Sequence, residues 1–122
     1  MKLKVGVLGG GSWGTTVASL AAKNSPTIIW ARNQEIVDEI NKSHTNSKYL
    51  PNAKLTHSLK ASSSIKETVE DVDVIVMGVP SQSLREVLAE AKPHIRPWVP
   101  IINLAKGLEI STKMRMTEII EE

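Results

Sequence analysis

A glycine-rich segment directly after the first apolar stretch constrains this chain more than any other feature. Residues 9–14 read Gly-Gly-Gly-Ser-Trp-Gly, which satisfies the spacing G-x-G-x-x-G. The preceding residues 3–8 are apolar and valine-rich, as in a buried strand, and residues 12–23 have the composition of a helix. A strand, a glycine turn and a helix in this order are typical of the first unit of a dinucleotide-binding fold.

Each glycine of this segment has a distinct expected role. Gly9 allows the tight turn, Gly11 lets the backbone approach a pyrophosphate without an intervening Cβ atom, and Gly14 permits close packing of the helix on the strand. The free N–H groups at the start of the helix then face the anion. The alternative, a plain tight turn without a ligand, is disfavoured by the strand before it and the helix after it.

Short apolar runs alternate with amphipathic stretches along the rest of the chain. With 122 residues, this pattern predicts one α/β domain built on a doubly wound parallel sheet, a Rossmann-type fold. Further strands are predicted at 27–30, 72–79 and 101–104, with an additional short one at 55–58, and helices at 33–41, 62–70, 81–91 and 112–122. Residues 42–52 are polar and contain a proline, which predicts a loop.

Composition and charge exclude several classes of protein. A formal net charge of +2 without a basic block argues against a nucleic-acid binder, and the absence of cysteine excludes disulfides and thiolate metal sites. His44, His57 and His94 lack metal-ligand spacing, so no metal site is expected. No apolar run could span a membrane or form a signal-peptide core, so we expect a cytoplasmic protein without membrane insertion.

The residues after the second predicted strand bear on the choice between NAD and NADP. An NAD-selective site places an acidic residue there, but the sequence reads Trp-Ala-Arg-Asn-Gln at 30–34, and Glu35 already belongs to the predicted helix. Arg32 is placed instead to contact a 2′-phosphate or to stack on adenine. This favours NADP, or at least tolerance of it, and the alternative is that Arg32 is a solvated surface residue.

Two later loops follow the carboxyl ends of predicted strands. One spans residues 78–83 and includes Pro80, and the other spans 105–107 and includes Lys106. Ligands of doubly wound sheets bind outside these strand ends, so we expect both loops to converge with the glycine turn on one crevice. Lys106 could then reach a phosphate or a substrate hydroxyl, although a lone lysine at such a position is more often a solvated charge.

Taken together, these segments resemble the N-terminal domain of bacterial-type NAD(P)-dependent glycerol-3-phosphate dehydrogenases. The resemblance rests on GGGSWGTTVA at 9–18, IIWAR at 28–32, NSKYLPN at 46–52, VPSQSLR at 79–85 and AKGLE at 105–109. It implies an oxidoreductase that interconverts dihydroxyacetone phosphate and sn-glycerol 3-phosphate by hydride transfer with NAD(P)H, for glycerophospholipid synthesis. It also implies a small phosphorylated substrate and, for the full-length protein, a possible homodimer.

The resemblance assigns roles residue by residue. Ser12, Trp13, Arg32 and Lys106 match cofactor-contacting positions, Tyr49 does so in some members, and Lys106 also matches a substrate-contacting lysine. Asn33 stands where the family often has a second basic residue, so the resemblance leaves the choice between NAD and NADP open. The family's proton-transfer lysine lies in a helical substrate domain beyond these 122 residues, so we expect cofactor binding without turnover and no catalytic residue in this sequence.

Two alternatives come from other classes of protein. A related 3-hydroxyacyl-CoA or β-hydroxyacid dehydrogenase would use the same fold, but Trp13 and the Lys-Gly-Leu-Glu segment at 106–109 argue against it. A non-catalytic dinucleotide-sensing domain would need only the cofactor site. The second alternative stays open on the sequence alone.

Overall fold

Five parallel strands form the centre of the structure, a computed structural model that describes residues 3–79 and 81–103. The spatial order of the strands is β3-β2-β1-β4-β5, and each neighbouring pair is parallel. This is the doubly wound sheet that the alternating pattern predicts. The strands are β1 Val5–Leu8, β2 Thr27–Trp30, β3 Lys60–Ser62, β4 Val74–Met77 and β5 Ile101–Asn103.

In the described part of the chain, four α-helices connect the strands and cover two apolar cores. One core packs α1 and α2 against the sheet, and the other packs α3 and α4 against it. Both cores are almost entirely aliphatic, as expected of a chain without phenylalanine. The helices are α1 Ser12–Ala22, α2 Gln34–Ser43, α3 Ile65–Val69 and α4 Ser81–Ala91, and a single 3₁₀ turn at Lys92–His94 follows α4.

The register of the sheet brings the ends of three strands to the same level. Leu8, the last residue of β1, is the partner of Trp30 at the end of β2 and of Met77 at the end of β4. The next residues continue the pairing, since Gly9 N–H donates to the Trp30 carbonyl at 2.9 Å and Gly78 N–H to the Leu8 carbonyl at 2.8 Å. The loops that leave these strands therefore start side by side.

One predicted strand is wrong. Residues 55–58 are not part of the sheet: residues 57–58 form a turn, and the third strand is Lys60–Ser62 instead. Leu55 and Leu59 are buried in the core, but the backbone between them is held by α1. Thr56 N–H donates to Ser19 Oγ at 2.9 Å, and Thr56 Oγ1 donates to the Ser19 carbonyl at 2.6 Å.

The following helix begins later than predicted, at Ile65 and not at residue 62. Ser62 is the last residue of β3 and pairs with Trp30, so the helix can begin only after it. Ser64 caps the helix, with its hydroxyl oxygen accepting from Glu67 N–H at 3.2 Å. Helix α4 has the predicted bounds, and the predicted helix at 112–122 lies outside the described residues.

Candidate functional site

A cleft of about 520 Å³ opens where β1, β2 and β4 end. Its walls come from segments that are far apart in sequence but start side by side in the sheet. The lining consists of residues 9–13 of the glycine turn, residues 30–33 and Ile36 after β2, Lys48 and Tyr49, and Gly78, Val79, Ser83 and Val87 after β4. Open parallel sheets commonly bind ligands at this place.

Two glycines of the turn are required by the packing of the chain itself. Gly9 has a φ angle of +126°, and a Cβ atom there would lie 2.7–2.9 Å from backbone atoms of Gly78 and Val79. A Cβ atom on Gly14 would overlap the carbonyl oxygen of Gly9. These two positions therefore let the first turn of α1 pack directly against the ends of β1 and β4.

Gly11 differs from the other two glycines because the fold does not require it. Its φ of −77° and ψ of −174° suit any residue, and a Cβ atom there would meet no atom of the described chain within 4 Å. The added carbon would instead occupy the open space in front of α1. Gly11 is also the N-cap of this helix, and as a glycine it has no side chain that could accept a hydrogen bond from the N–H groups of the first turn. This combination of open space and free amides fits an anion such as a pyrophosphate.

The end of β2 presents a cation on a fixed aromatic surface. The guanidinium carbon of Arg32 lies 5.2 Å from the ring centroid of Trp30, within cation–π distance. Trp30 is buried, and its indole N–H donates to the Ser63 carbonyl at 3.0 Å, which fixes the ring. Asn33 caps α2 by accepting from Glu35 N–H at 2.8 Å, so its side-chain oxygen is already engaged at the edge of the cleft.

The charge of the cleft favours an anionic ligand. Among the described lining residues, Arg32 and Lys48 are the charged ones, and none is acidic. The ammonium of Lys48 lies 5.4 Å from the ring centroid of Tyr49. Sequence reasoning missed Lys48, although it adjoins Tyr49 in the segment at 46–52, because an exposed lysine in a polar loop carries no signal by itself.

The loop after α2 contains a buried asparagine that sequence reasoning also missed. Asn46 is fully buried, and its Nδ2 donates to the carbonyl of Gly10 at 2.9 Å and to Thr15 Oγ1 at 3.0 Å. Glu39 of α2 accepts from Thr45 Oγ1 and from both Ser47 N–H and Ser47 Oγ. The hydrogen bond from Thr45, followed by those from Ser47, lowers the pKa of Glu39 below its ordinary value.

The structure brings most of the predicted cofactor residues into one place. Gly9, Gly11, Ser12 and Trp13 line the cleft, and Trp13 is 66% exposed at its mouth. Arg32, Asn33 and Tyr49 also line it, whereas Gly14 lies behind the turn against Gly9. Pro80 and Lys106 lie outside the described residues, as does the whole loop at 105–107.

The three histidines do not reach the cleft. His44 and His57 stack on each other with ring centroids 4.3 Å apart, which their distance in the sequence does not suggest. Within residues 3–79 and 81–103 no three His, Cys, Asp or Glu side chains come together as metal ligands would. No helix in the same residues combines the length and the apolar character needed to cross a bilayer.

Comparison with solved structures supports the fold. The crystal structure of glycerol-3-phosphate dehydrogenase from Coxiella burnetii superposes with a TM-score of 0.81 at 34% sequence identity. The match covers 98% of this chain and 37% of that chain. At this identity the likeness extends beyond the general architecture that doubly wound sheets share.

Sequence comparisons give the same family. The chain is 57% identical over 122 residues to glycerol-3-phosphate dehydrogenase (NAD(P)+) 2 of Sphingopyxis alaskensis, covering 100% of this chain and 37% of the relative. It is 52% identical over 120 residues to glycerol-3-phosphate dehydrogenase (NAD(P)+) of Mycobacterium avium, covering 98% of this chain and 35% of the relative. The chain thus spans little more than a third of the length of these relatives.

A family-wide comparison agrees with these pairwise matches. Residues 4–122 match the family described as NAD-dependent glycerol-3-phosphate dehydrogenase N-terminus. The resemblance inferred from the five sequence segments is confirmed. The chain belongs to the NAD-dependent glycerol-3-phosphate dehydrogenase family and corresponds to its N-terminal region.

Proposed function

We propose that residues 1–122 form the NAD(P)-binding domain of an enzyme that interconverts dihydroxyacetone phosphate and sn-glycerol 3-phosphate. The observation that carries this proposal is Gly11, a glycine that the fold does not need and that leaves the start of α1 open. Family membership supports the proposal independently, since the relatives are named as NAD(P)+-dependent dehydrogenases of glycerol 3-phosphate.

Different residues of the cleft would hold different parts of the dinucleotide. The free N–H groups of the turn and of Ser12 and Trp13 would hold the pyrophosphate, because they lie at the positive end of α1. Arg32 and Lys48 would hold the adenosine half, where a 2′-phosphate of NADP adds negative charge. Since Asn33 replaces a possible third cation, we propose that the site accepts both NAD and NADP.

When bound, the reduced cofactor supplies the hydride, and the chain supplies binding and orientation. Reduction of a ketone also needs a proton donor at the carbonyl oxygen and a substrate held in near-attack geometry. We place the donor outside these 122 residues, in a helical substrate domain, and assign to Lys106 contacts with both cofactor and substrate. Pro80 would border the cofactor beside Val79. The chain alone then binds cofactor without turning over.

The remaining assignments rest on the family. We propose a small phosphorylated molecule as the substrate, a cytoplasmic location, a role in glycerophospholipid synthesis and a homodimer for the full-length protein. The alternatives, a dehydrogenase of 3-hydroxyacyl-CoA or β-hydroxyacids and a non-catalytic dinucleotide sensor, are disfavoured by relatives that are named as glycerol-3-phosphate dehydrogenases along the whole of this chain.

Calorimetric titration of the chain tests the binding site. NADH, NADPH and ADP-ribose should each bind at one site, whereas AMP should bind at least about tenfold more weakly because it lacks the second phosphate that the turn would hold. Circular dichroism establishes that the titrated protein is folded. A folded chain that gives no heat with either reduced dinucleotide, or that binds AMP as tightly as ADP-ribose, contradicts the proposed site.

Turnover must be measured on the longer protein that contains this chain. Dihydroxyacetone phosphate should cause oxidation of NADH or NADPH, followed by the loss of reduced-nicotinamide absorbance. Acetoacetyl-CoA and small β-keto acids, offered in parallel, test the related dehydrogenases. Tight dinucleotide binding without oxidation by any of these substrates would favour the sensor.

A further inference from the structure

We propose that Asn46 is a positioning residue that holds the glycine turn in the geometry that binds a dinucleotide. The inference rests on the proposed function, since it concerns the same cleft. Asn46 does not line the cleft but lies behind it, with its side chain fully buried. Its effect on a ligand therefore has to pass through the groups to which its amide donates.

The amide of Asn46 joins the turn to the helix that follows it. Its Nδ2 donates to the Gly10 carbonyl, in the middle of the turn, and to Thr15 Oγ1, one turn into α1. These two acceptors use both N–H groups of the amide. The turn is thus fixed by a side-chain contact as well as by the backbone bonds that continue the sheet.

The other atom of the same amide shows that packing alone does not explain Asn46. Its Oδ1 is buried and has no hydrogen-bond partner in the described structure. Burying an acceptor without a partner costs stability, and an apolar side chain at this position would avoid that cost. A reversed amide would place its oxygen against the Gly10 carbonyl, so the donors must point toward the turn.

A carboxylate on α2 holds the residues on both sides of Asn46. Glu39 accepts from Thr45 Oγ1 at 2.6 Å, from Ser47 N–H at 2.8 Å and from Ser47 Oγ at 3.1 Å. Leu50 N–H donates to the Asn46 carbonyl at 2.8 Å and closes the loop on its far side. Helix α2 thereby fixes Asn46, and Asn46 fixes the turn.

This arrangement links two walls of the cleft. Lys48 and Tyr49 belong to the same loop as Asn46 and line the same cleft as the turn. A loop that carries both the ligand-facing side chains and the support of the turn sets their relative position before a ligand arrives. Without the support, ordering of the turn becomes part of the binding step and weakens affinity.

Two substitutions of Asn46 test the inference with a matched control. Asn46→Ala removes the amide, and Asn46→Asp keeps its shape but places a carboxylate against the Gly10 carbonyl. Asn41→Ala is the control, because the Asn41 amide also bridges to backbone, donating to the Ala61 carbonyl at 3.0 Å and accepting from Ala61 N–H at 2.8 Å, away from the cleft. Each variant is titrated with NADH, and amide hydrogen exchange is followed at residues 10–13.

We expect both Asn46 variants to raise the Kd for NADH by about tenfold or more and to speed exchange in the turn. Asn41→Ala should keep the Kd within about twofold of wild type even though it lowers the unfolding midpoint. Glu39→Gln, which keeps Asn46 itself, should raise the Kd by a smaller factor of about three. This third variant provides a test if the buried substitutions prevent folding.

The outcomes separate this inference from the proposed function. If wild type binds NADH but the folded Asn46 and Glu39 variants bind it as tightly as Asn41→Ala, with wild-type exchange in the turn, the positioning role is overturned and the site stands. If wild type itself fails to bind NADH, the proposed function is overturned, and with it the role of Asn46 in binding.

Discussion

The positively charged side chains at the two ends of the sheet have different partners. At the amino ends of the strands, Lys4 Nζ lies 2.7 Å from Asp71, and Lys4 N–H donates to Asp73 at 2.9 Å. Arg96 donates to the Val72 carbonyl and lies 3.4 Å from Asp73. These two cations are balanced by carboxylates of the same chain.

At the carboxyl ends, the cations of the cleft face aromatic rings instead. Arg32 lies over Trp30 much as Arg96 lies over Trp98, with distances of 5.2 and 5.7 Å, but only Arg96 has a carboxylate partner among the described ion pairs. Because an aromatic face holds a cation without neutralising it, the cleft keeps its positive charge for a ligand. Lys4 and Arg96 at the amino end are thus paired within the chain, whereas Arg32 and Lys48 of the cleft face aromatic rings.

The largest expected effect comes from the glycine turn, where Gly9 is expected to affect stability and Gly11 to affect binding. Gly9→Ala should lower the free energy of unfolding by about 2–4 kcal/mol, because the new Cβ atom meets backbone atoms at a positive φ angle. Gly11→Ala should change it by less than about 0.5 kcal/mol and yet raise the Kd for NADH at least about tenfold. Urea unfolding and calorimetry measure the two quantities.

Either of two results would contradict this contrast. Gly11→Ala could bind NADH like wild type, in which case the open space in front of α1 does not hold the pyrophosphate. Gly9→Ala could unfold like wild type, in which case the turn is less constrained than its contacts with Gly78 and Val79 indicate.

The two arginines sharpen the comparison between the ends. Arg32→Glu should weaken NADPH binding about tenfold more than NADH binding, because it places a carboxylate where the 2′-phosphate is expected. Arg96→Glu should lower the unfolding midpoint through repulsion from Asp73 and leave both dissociation constants unchanged. Paired titrations with both cofactors measure the difference, and equal losses for NADPH and NADH in Arg32→Glu would refute the assignment of Arg32.

A pH effect of intermediate size is expected at Glu39. Its pKa is lower in the folded chain than the ordinary 4.5, so the folded state binds fewer protons than the unfolded state. The resulting stabilisation is present above pH 4.5 and is lost as the pH falls through the folded pKa. The difference in thermal unfolding midpoint between wild type and Glu39→Gln should therefore be largest near pH 7 and should disappear under acidic conditions. Thermal unfolding at several pH values tests this, and a constant difference would show that the hydrogen bonds to Glu39 do not depend on its charge.

The smallest effect is expected at the exposed ion pair of the amino end. The hydrogen bond and charge of Lys4 lower the pKa of Asp71, but both side chains are largely in solvent, where such pairs contribute little. Asp71→Asn should barely shift the unfolding midpoint at physiological salt and should not affect NADH binding. A shift as large as that of Gly9→Ala would show that the amino end stabilises the fold more than solvent screening allows.

The order of the elements could be predicted because most strands carry continuous apolar, β-branched runs. The strand predicted at 55–58 was wrong because a buried leucine such as Leu55 occurs in a loop as well as in a strand. The glycine turn was predictable because its constraint is local. Asn46 was not, since an asparagine in a polar loop gives no sign that it bonds to Gly10, 36 residues earlier.

Because no side chain caps α1 at Gly11, the stability of the fold would depend on the concentration of the dinucleotide. A diphosphate seated at Gly11 would complete the first turn of the helix, so occupancy would resist unfolding by mass action, by about 2.7 kcal/mol at a hundredfold excess over Kd. Such a chain would tolerate heat better in a cell rich in dinucleotide than in plain buffer, and its melting point would report the ligand concentration around it.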